Sequence, residues 1–247
     1  MQAMGVDLGG SGFRLGVFDL TTGTLQGELV EHVHEGDLHP ETVLSALAAA
    51  IETSGWSGAI GLGFPGAVSG NAALTAPNLG EEWVGYPVSA ALQHLHNGRF
   101  AMLNDADAIA MAERLFGYGH DGFQRILTLT VGTGLGTTVH ENGTMIPNLE
   151  YGRLPHPTRQ GVLEAHLSGR ARREEGLSLK AWSERFQEGL NFLEGMLEPD
   201  LILVYGGIVE HWSTFSSHLS TRAVLQPARL RFTAGPLGAA LSTLGLD

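Results

Sequence analysis

A carboxylate followed by a glycine-rich turn stands near the start of the sequence. Asp7 closes a short apolar run, and the residues after it include Gly9, Gly10 and Ser11. Glycines let backbone N–H groups approach a phosphate, because no Cβ stands in the way. The Asp7 carboxylate is suited to hold Mg²⁺, directly or through water. The segment predicts a phosphate site, and the alternative is an ordinary hairpin turn that begins with an aspartate.

Two more glycine turns follow predicted strands in the second half of the chain. The first consists of Gly132, Thr133, Gly134 and Gly136 around Leu135, and the second of Gly206 and Gly207. The G-x-G-x-G spacing differs from the dinucleotide fingerprint, and a hairpin rather than a helix follows it. A helix is predicted after the later turn, and its N-terminus favours an anion or a nucleotide. One glycine turn in each half predicts that a phosphate is held between them.

Asn104 and Asp105 stand where a predicted buried strand gives way to a helix. In α/β proteins ligands bind at such strand ends. Asp105 is a candidate general base for a hydroxyl nucleophile. The alternative is that Asp105 or Asp107 only caps the helix, and we assign Asp107 that role.

Four loop residues have side chains that suit a sugar. Asn, Glu and Arg contact several hydroxyl groups at once, and Trp packs on the apolar face of a sugar ring. The candidates are Asn78 with Trp83, and Glu150 with Arg153. Each of them alone is equally typical of an ordinary loop.

The elements around these motifs predict an α/β protein with two domains. Each half begins with a strand, a glycine turn and a second strand, and then adds helices and buried strands. We expect domains at 1–106 and 107–247, with a cleft between them and with the last helix able to pack on the first domain. Outside the short final helix, we predict helices at 40–54, 88–97, 105–119, 159–175, 178–197 and 208–220.

The composition excludes several classes of protein. The 247 residues include no cysteine, and 26 acidic residues against 14 basic ones give a net charge of −12. This excludes a disulfide framework and any cysteine-based site. Lys180, the only lysine, stands far from the glycine turns, so there is no G-x-x-x-x-G-K-S/T phosphate loop. So acidic a chain is a poor candidate for nucleic-acid or membrane binding.

Other patterns point to no further site. The chain has neither a long apolar run nor a signal-peptide pattern, so we expect a cytoplasmic protein. Its histidines are scattered, so we expect no structural zinc. A basic run at Arg170, Arg172 and Arg173, beside Glu174 and Glu175, is typical of a solvated helix face, and the alternative is a contact with a polyanion.

Eight short segments occur in one order across nearly the whole chain: DLGGSG, GLGFPG, TAPNLGEEW, LNDADA, TVGTGLGT, PNLEYG, PDLILVYGG and AGPLGAA. Together they resemble the ROK family of sugar kinases, in the actin-like phosphotransferase superfamily, and most closely its polyphosphate glucokinase branch. The resemblance implies two actin-like (ribonuclease H-like) α/β domains with the active site in the cleft. It implies transfer of a phosphoryl group from ATP or inorganic polyphosphate to a hexose, with glucose giving glucose 6-phosphate.

The resemblance also implies a role for each motif. Asp105 matches the catalytic base, and the sugar-binding positions match Asn78, Asn104, Glu150 and Glu164. The first phosphate loop matches Asp7, Gly9, Gly10 and Ser11, the second matches Gly132, Thr133, Gly134 and Gly136, and the nucleotide-side turn matches Gly206 and Gly207. Mg²⁺, a sugar and a phosphoryl donor are the implied ligands, and a homodimer is the implied assembly.

Three positions depart from the family pattern. Arg153 replaces the histidine of the E-x-G-H sugar motif, which favours a different sugar or weaker glucose binding. Arg14 replaces the phosphate-loop lysine of the polyphosphate branch and keeps its charge. Ile208 follows the last glycine turn and is a candidate to crowd an adenine. These departures leave open a non-catalytic or regulatory sugar-binding protein, whereas the glycine spacing argues against a nicotinamide-dependent enzyme.

Overall fold

The chain divides into two units, Met1–Ala112 with Phe232–Asp247, and Glu113–Arg231. The computed structural model describes residues 1–70, 72–95, 99–120 and 122–245. The end of the helix predicted at 88–97 lies outside the described residues. The domain boundaries expected from the sequence, 1–106 and 107–247, stay a prediction.

The first unit is built on a five-stranded mixed sheet of order β3-β2-β1-β4-β7. β1, β2 and β3 form the predicted antiparallel meander, and β4 and β7 continue the sheet parallel to β1. The strands are β1 (Gln2–Gly9), β2 (Gly12–Asp19), β3 (Thr24–Val33), β4 (Ile60–Phe64), the short pair β5 (Val68–Ser69) and β6 (Ala72–Ala73), and β7 (Phe100–Asn104).

Three α-helices alternate with these strands along the chain: α1 (Pro40–Ser54) after β3, α2 (Val88–Leu95) before β7, and α3 (Asp105–Phe116) after β7. α1 shows why the local pattern was predictive. Pro40 is its first residue, and Gly55 ends it in the left-handed region at φ 68°. Its buried side chains recur at helical spacing and face the core of the unit.

The second unit repeats the plan with a sheet of order β10-β9-β8-β11-β12. Its strands are β8 (Arg125–Val131), β9 (Leu135–Glu141), β10 (Thr144–Ile146), β11 (Leu201–Tyr205) and β12 (Val224–Pro227). β8, β9 and β10 are antiparallel, and β11 and β12 run parallel to β8. The predicted turn between β9 and β10 is confirmed, since Asn142 and Gly143 both have positive φ.

Two predicted helices of this unit are broken. The stretch 159–175 forms α4 (Glu164–Leu167) and α5 (Gly169–Glu174), because Ser168 between them is extended at ψ 153° and caps α5. The stretch 208–220 forms a 3-10 helix, Gly207–His211, and then the short α7 (Trp212–Ser216). The prediction of one long helix at 178–197 is confirmed by α6 (Leu179–Leu197).

The last helix, α8 (Ala234–Leu241), belongs to the first unit and packs on its sheet. A Cβ on Gly5 of β1 would overlap the Pro236 carbonyl, and one on Gly61 of β4 would overlap the Ala239 carbonyl. The backbone of α8 therefore lies directly on the two strands, which is possible only at glycine. No helix of the described residues is long and apolar enough to cross a membrane.

Candidate functional site

The first glycine turn is a tight hairpin that joins an aspartate to an arginine. β1 and β2 pair so that Gly9 faces Gly12 and Asp7 faces Arg14. Arg14 Nη2 donates a 2.8 Å hydrogen bond to Asp7 Oδ2, and the Asp7 side chain is 14% exposed. Burial raises the pKa of Asp7, and the Arg14 charge offsets part of that rise. Two residues predicted to bind phosphate thus form one ion pair.

The same turn contacts the loop that carries Asn78. A Cβ on Gly10 would lie 2.6 Å from the Asn78 carbonyl oxygen and 3.2 Å from the Asn78 Cβ. On its other side, His34 Nε2 lies 3.1 Å from the Gly9 carbonyl oxygen, and the His34 N–H donates to the Ser11 carbonyl at 3.0 Å. The structure therefore brings the predicted phosphate turn against a predicted sugar-binding residue.

Asn104 caps α3, and Asp105 is the first residue of that helix. Asn104 is 7% exposed; its Oδ1 accepts from the Asp107 N–H at 3.1 Å, and its Nδ2 donates to the Gly66 carbonyl at 3.0 Å. The cap that we assigned to an aspartate is thus made by Asn104. Asp105 is half-buried, and its Oδ1 accepts from the Ala106 N–H at 2.8 Å.

Asp7 and Asp105 lie at the same edge of the first sheet. β1, β4 and β7 are parallel, so their carboxyl ends meet there, with Asp7 beside Gly63 and Phe64 beside Asn104. A Cβ on Gly63 would lie only 3.7 Å from the Asp105 Cα. The end of β4, at Gly63, therefore lies between the strand that carries Asp7 and the start of the helix that carries Asp105.

Gly235 of α8 packs against the Asp7 carboxylate and was not among the predicted site residues. A Cβ on Gly235 would lie 2.7 Å from both Cγ and Oδ2 of Asp7. Only glycine permits this approach. The signal was present in the run of small residues AGPLGAA, which indicates close backbone packing.

Trp83 is not available to a sugar. It is fully buried in the core of the first unit beside Phe64, and its Nε1 donates to the Leu38 carbonyl at 2.7 Å. Trp83 is therefore a core residue, and both its predicted sugar contact and the alternative of an ordinary loop residue are wrong. Asn78, five residues earlier, is half-buried and stays a candidate.

Glu164 holds the second glycine turn. Its Oε2 accepts from the Leu135 N–H at 2.9 Å, and a Cβ on Gly134 would lie 2.6 Å from the same oxygen. The Gly132 N–H donates to the Gly134 carbonyl at 3.1 Å, which leaves Gly132 and Thr133 exposed at the tip. A predicted sugar residue and a predicted phosphate turn thus adjoin in the second unit as well.

Thr137 joins this turn to the segment that carries the next sugar-binding candidates. Its hydroxyl donates to the Leu149 carbonyl and accepts from the Tyr151 N–H, the latter at 3.0 Å. A Cβ on Gly152 would overlap the Leu135 carbonyl oxygen. The E-Y-G-R segment is therefore fixed against the start of β9 by its glycine.

Glu150 and Arg153 form an exposed ion pair. Arg153 Nε lies 3.5 Å from Glu150 Oε2, and the two side chains are 50% and 39% exposed, Arg153 being the more exposed. Such a solvated pair contributes no more than about 1 kcal/mol, so a ligand can displace it at little cost. At the position where the family pattern has a histidine, this chain presents a cation beside the glutamate that is predicted to bind the sugar.

The third glycine turn lies against the second. β8 and β11 are parallel, and a Cβ on Gly206, at φ 118°, would overlap the Val131 carbonyl. Gly207 has open space around it. Ile208 is 7% exposed within the core of the second unit, so the expected crowding of an adenine by its side chain is wrong.

Comparison with known proteins places these motifs in a family. The model described as the ROK family matches residues 3–152. A polyphosphate glucokinase of Mycobacterium tuberculosis is 32% identical over 244 residues, covering 98% of this chain and 91% of that protein. These matches include the first glycine turn, the β7–α3 junction, the second glycine turn and Glu150.

Solved structures agree with the fold. An inorganic polyphosphate/ATP-glucomannokinase from Arthrobacter sp. strain KM superposes with a TM-score of 0.93 at 30% identity, covering 100% of this chain and 99% of that one. A ROK glucokinase from Streptomyces griseus, solved with glucose and AMPPNP, gives 0.79 at 23% identity, covering 97% and 98%. The fold is thus the actin-like α/β fold of ROK sugar kinases. Since the family model covers more than half of the sequence and the relatives nearly all of it, the chain belongs to the ROK family.

Proposed function

We propose that this chain is a hexose kinase that phosphorylates glucose at its 6-hydroxyl, with inorganic polyphosphate or ATP as donor. The observation that carries the proposal is the edge of the first sheet. There the half-buried Asp105 follows Asn104, and Asp7 lies near the carboxyl end of the strand next but one. A base and a phosphate turn on one rigid edge are what phosphoryl transfer to an alcohol needs.

Asp105 is the proposed base. The sugar hydroxyl oxygen attacks the terminal phosphorus of the donor, its O–P bond forms, and the bond from phosphorus to the bridging oxygen breaks. The hydroxyl proton passes to the Asp105 carboxylate, and the shortened donor leaves with the bridging oxygen. The hydrogen bond from the Ala106 N–H to Oδ1 fixes the carboxylate for this task.

Both units contribute proposed sugar contacts. In the first unit, Asn78 and Asn104 supply amide groups, and the capping bonds of Asn104 fix its orientation. In the second, Glu150 and Glu164 supply carboxylate acceptors, with Arg153 as an added donor.

Phosphate binding rests on backbone groups and on one arginine. The exposed Thr133 offers its N–H group, as do Gly10 and Ser11 in the first turn. Arg14 adds a guanidinium beside Asp7. We propose that Gly134, Gly136, Gly206, Gly207 and Gly9 shape these turns.

Asp7 fits Mg²⁺ as a single protein ligand. The described residues include no group of three or more His, Asp or Glu side chains that could hold a metal ion. Mg²⁺ in kinases is commonly held by one or two carboxylates plus substrate phosphates, and Asp7 engages Arg14 through Oδ2 alone. When bound there, Mg²⁺ would neutralise charge on the donor phosphates. We infer that it is bound with the donor, because the described residues offer too few ligands of their own.

The assembly and location stay predictions from the family. We propose a homodimer in the cytoplasm. Sedimentation velocity of the purified chain tests the first, and a fluorescent fusion tests the second; a monomer, or a fusion outside the cytoplasm, would contradict them.

A coupled assay tests the proposed reaction. Purified protein is supplied with a panel of hexoses, Mg²⁺, and either ATP or polyphosphate. We expect glucose turnover that Asp105→Asn lowers by about 10²–10⁴-fold in kcat, the usual contribution of a general base. Glu41→Gln, which removes one acidic charge from the exposed face of α1, is the matched control. If no hexose is turned over with either donor, the result contradicts the proposal and favours a non-catalytic sugar-binding protein.

A further inference from the structure

Three neighbouring arginines of α5 lack the carboxylate partners that most other arginines have. In the described residues, Arg170, Arg172 and Arg173 form no ion pair, and Arg172 Nε is buried without a hydrogen-bond partner. Six other arginines pair with Asp or Glu: Arg14, Arg125, Arg153, Arg159, Arg185 and Arg222. In a chain of net charge −12, an unneutralised cluster of three cations is unusual.

The adjacent acidic residues do not neutralise this cluster. Glu175 is engaged with Arg185, whose Nη1 donates to it at 2.7 Å. Glu174 is exposed and makes no ion pair among the described residues. The cluster therefore keeps a local positive charge.

The cluster is fixed to the second glycine turn. The Arg170 N–H donates to the Gly132 carbonyl at 3.2 Å. A Cβ on Gly169 would lie 3.1 Å from that carbonyl oxygen and 3.4 Å from Arg173 Nη1. The Arg173 guanidinium and the tip of the turn therefore flank one small space, which is open because residue 169 is glycine.

We infer that Arg170, Arg172 and Arg173 bind phosphates of a linear polyphosphate chain beyond those held by the Gly132–Gly136 turn. The inference rests on the proposed function, because that turn is its proposed donor site. Consecutive phosphates of a polyphosphate carry negative charge along the chain, which suits binding by several guanidinium groups next to the turn. The segment 164–178 has no Phe, Tyr or Trp, so it lacks the large stacking surfaces that single-stranded nucleic acids use.

Direct binding and kinetics test the inference separately. Binding of long-chain polyphosphate and of tripolyphosphate is measured by calorimetry for the wild type, Arg173→Gln, the double variant Arg170→Gln/Arg173→Gln, and Arg173→Lys. Lys180→Gln is the matched control, because Lys180 is exposed, makes no ion pair with any residue that the structure describes, and its substitution removes the same charge. Thermal melting confirms that each variant folds.

We expect Arg173→Gln to weaken long-chain binding about five-fold and the double variant more than ten-fold, the scale of exposed charge-assisted contacts to phosphate. In these variants, tripolyphosphate binding and the KM for ATP should change less than two-fold. Long-chain binding by Lys180→Gln should also change less than two-fold. Arg173→Lys should restore part of the binding. The salt dependence of long-chain binding should also weaken in the double variant.

Each other result has a definite meaning. Equal long-chain binding by the wild type and the double variant overturns the inference and leaves the proposed function intact. An inactive wild type whose long-chain binding still depends on these arginines supports the inference while the proposed function fails. Equal weakening by Lys180→Gln, or displacement of polyphosphate by RNA at equal phosphate concentration, also overturns it, since the effect is then one of net charge.

Discussion

Gly10 is the residue at which the contact between the phosphate turn and the Asn78 loop can be tested. In Gly10→Ala the new methyl group would lie 2.6 Å from the Asn78 carbonyl oxygen, about 0.8 Å short of ordinary contact. That oxygen is backbone, so the whole loop must move. Gly9→Ala is the matched control, because the nearest atom to its Cβ, the Gly12 carbonyl oxygen, is 3.6 Å away.

Overpacking of this kind costs about 1–3 kcal/mol, which for a protein of this size lowers the melting temperature by about 2–12 °C. A displacement of Asn78 near 1 Å should raise the KM for glucose by about ten-fold or more. Gly9→Ala should keep the melting temperature and the glucose KM of the wild type. Melting followed by circular dichroism and steady-state kinetics measure both quantities. If Gly10→Ala and Gly9→Ala behave alike, the contact between the two segments is not tight and our reasoning is refuted.

Three further predictions concern other parts of the site and fold. Arg153→His should raise kcat/KM for glucose several-fold by removing the cation beside Glu150, and unchanged or lower values would show that position 153 does not limit sugar choice. Burial lowers the pKa of His140 from 6.5 to about 4, so protonation opposes folding. The contribution of the neutral His140 to the free energy of unfolding should therefore be at its maximum above pH 6.5. It should fall by about 3 kcal/mol as the pH drops to about 4. Denaturant titrations of His140→Leu should lack this component, and identical pH profiles would contradict the assignment. Gly235→Ala, whose methyl would lie 2.7 Å from the Asp7 carboxylate, should raise the KM for the donor more than that for glucose; equal effects would mean that it disturbs the whole unit.

Local signals predicted most of the elements that carry the site. Pro40 and Gly55 bounded α1, and Asn142 and Gly143 marked the hairpin, because each residue prefers the backbone conformation it adopts. The ion pair between Asp7 and Arg14 was also within reach. A two-residue turn that pairs Gly9 with Gly12 places residue 7 opposite residue 14.

Other features depend on tertiary contacts that no local pattern reports. The break at Ser168 adapts the chain to the second glycine turn, where Gly169 meets Gly132. Trp83 looked like a loop residue because its segment is polar, yet its ring fills the core. Glu164 was placed at the site by family resemblance alone, and its bond to the turn joins residues far apart in sequence.

The position of α8 also sets an order of events during synthesis. The strands of the first sheet precede the second unit in the chain, but the helix that lies on Gly5 and Gly61 is made only after the whole second unit. At ordinary translation speeds, those strands wait on the order of 10 s for their cover. Until α8 is made, the first unit therefore exposes the apolar face of its sheet around Gly5 and Gly61, which chaperones can bind. By then, all the strands of the second unit have been made. Completion of the proposed catalytic edge therefore waits until the second unit has been made.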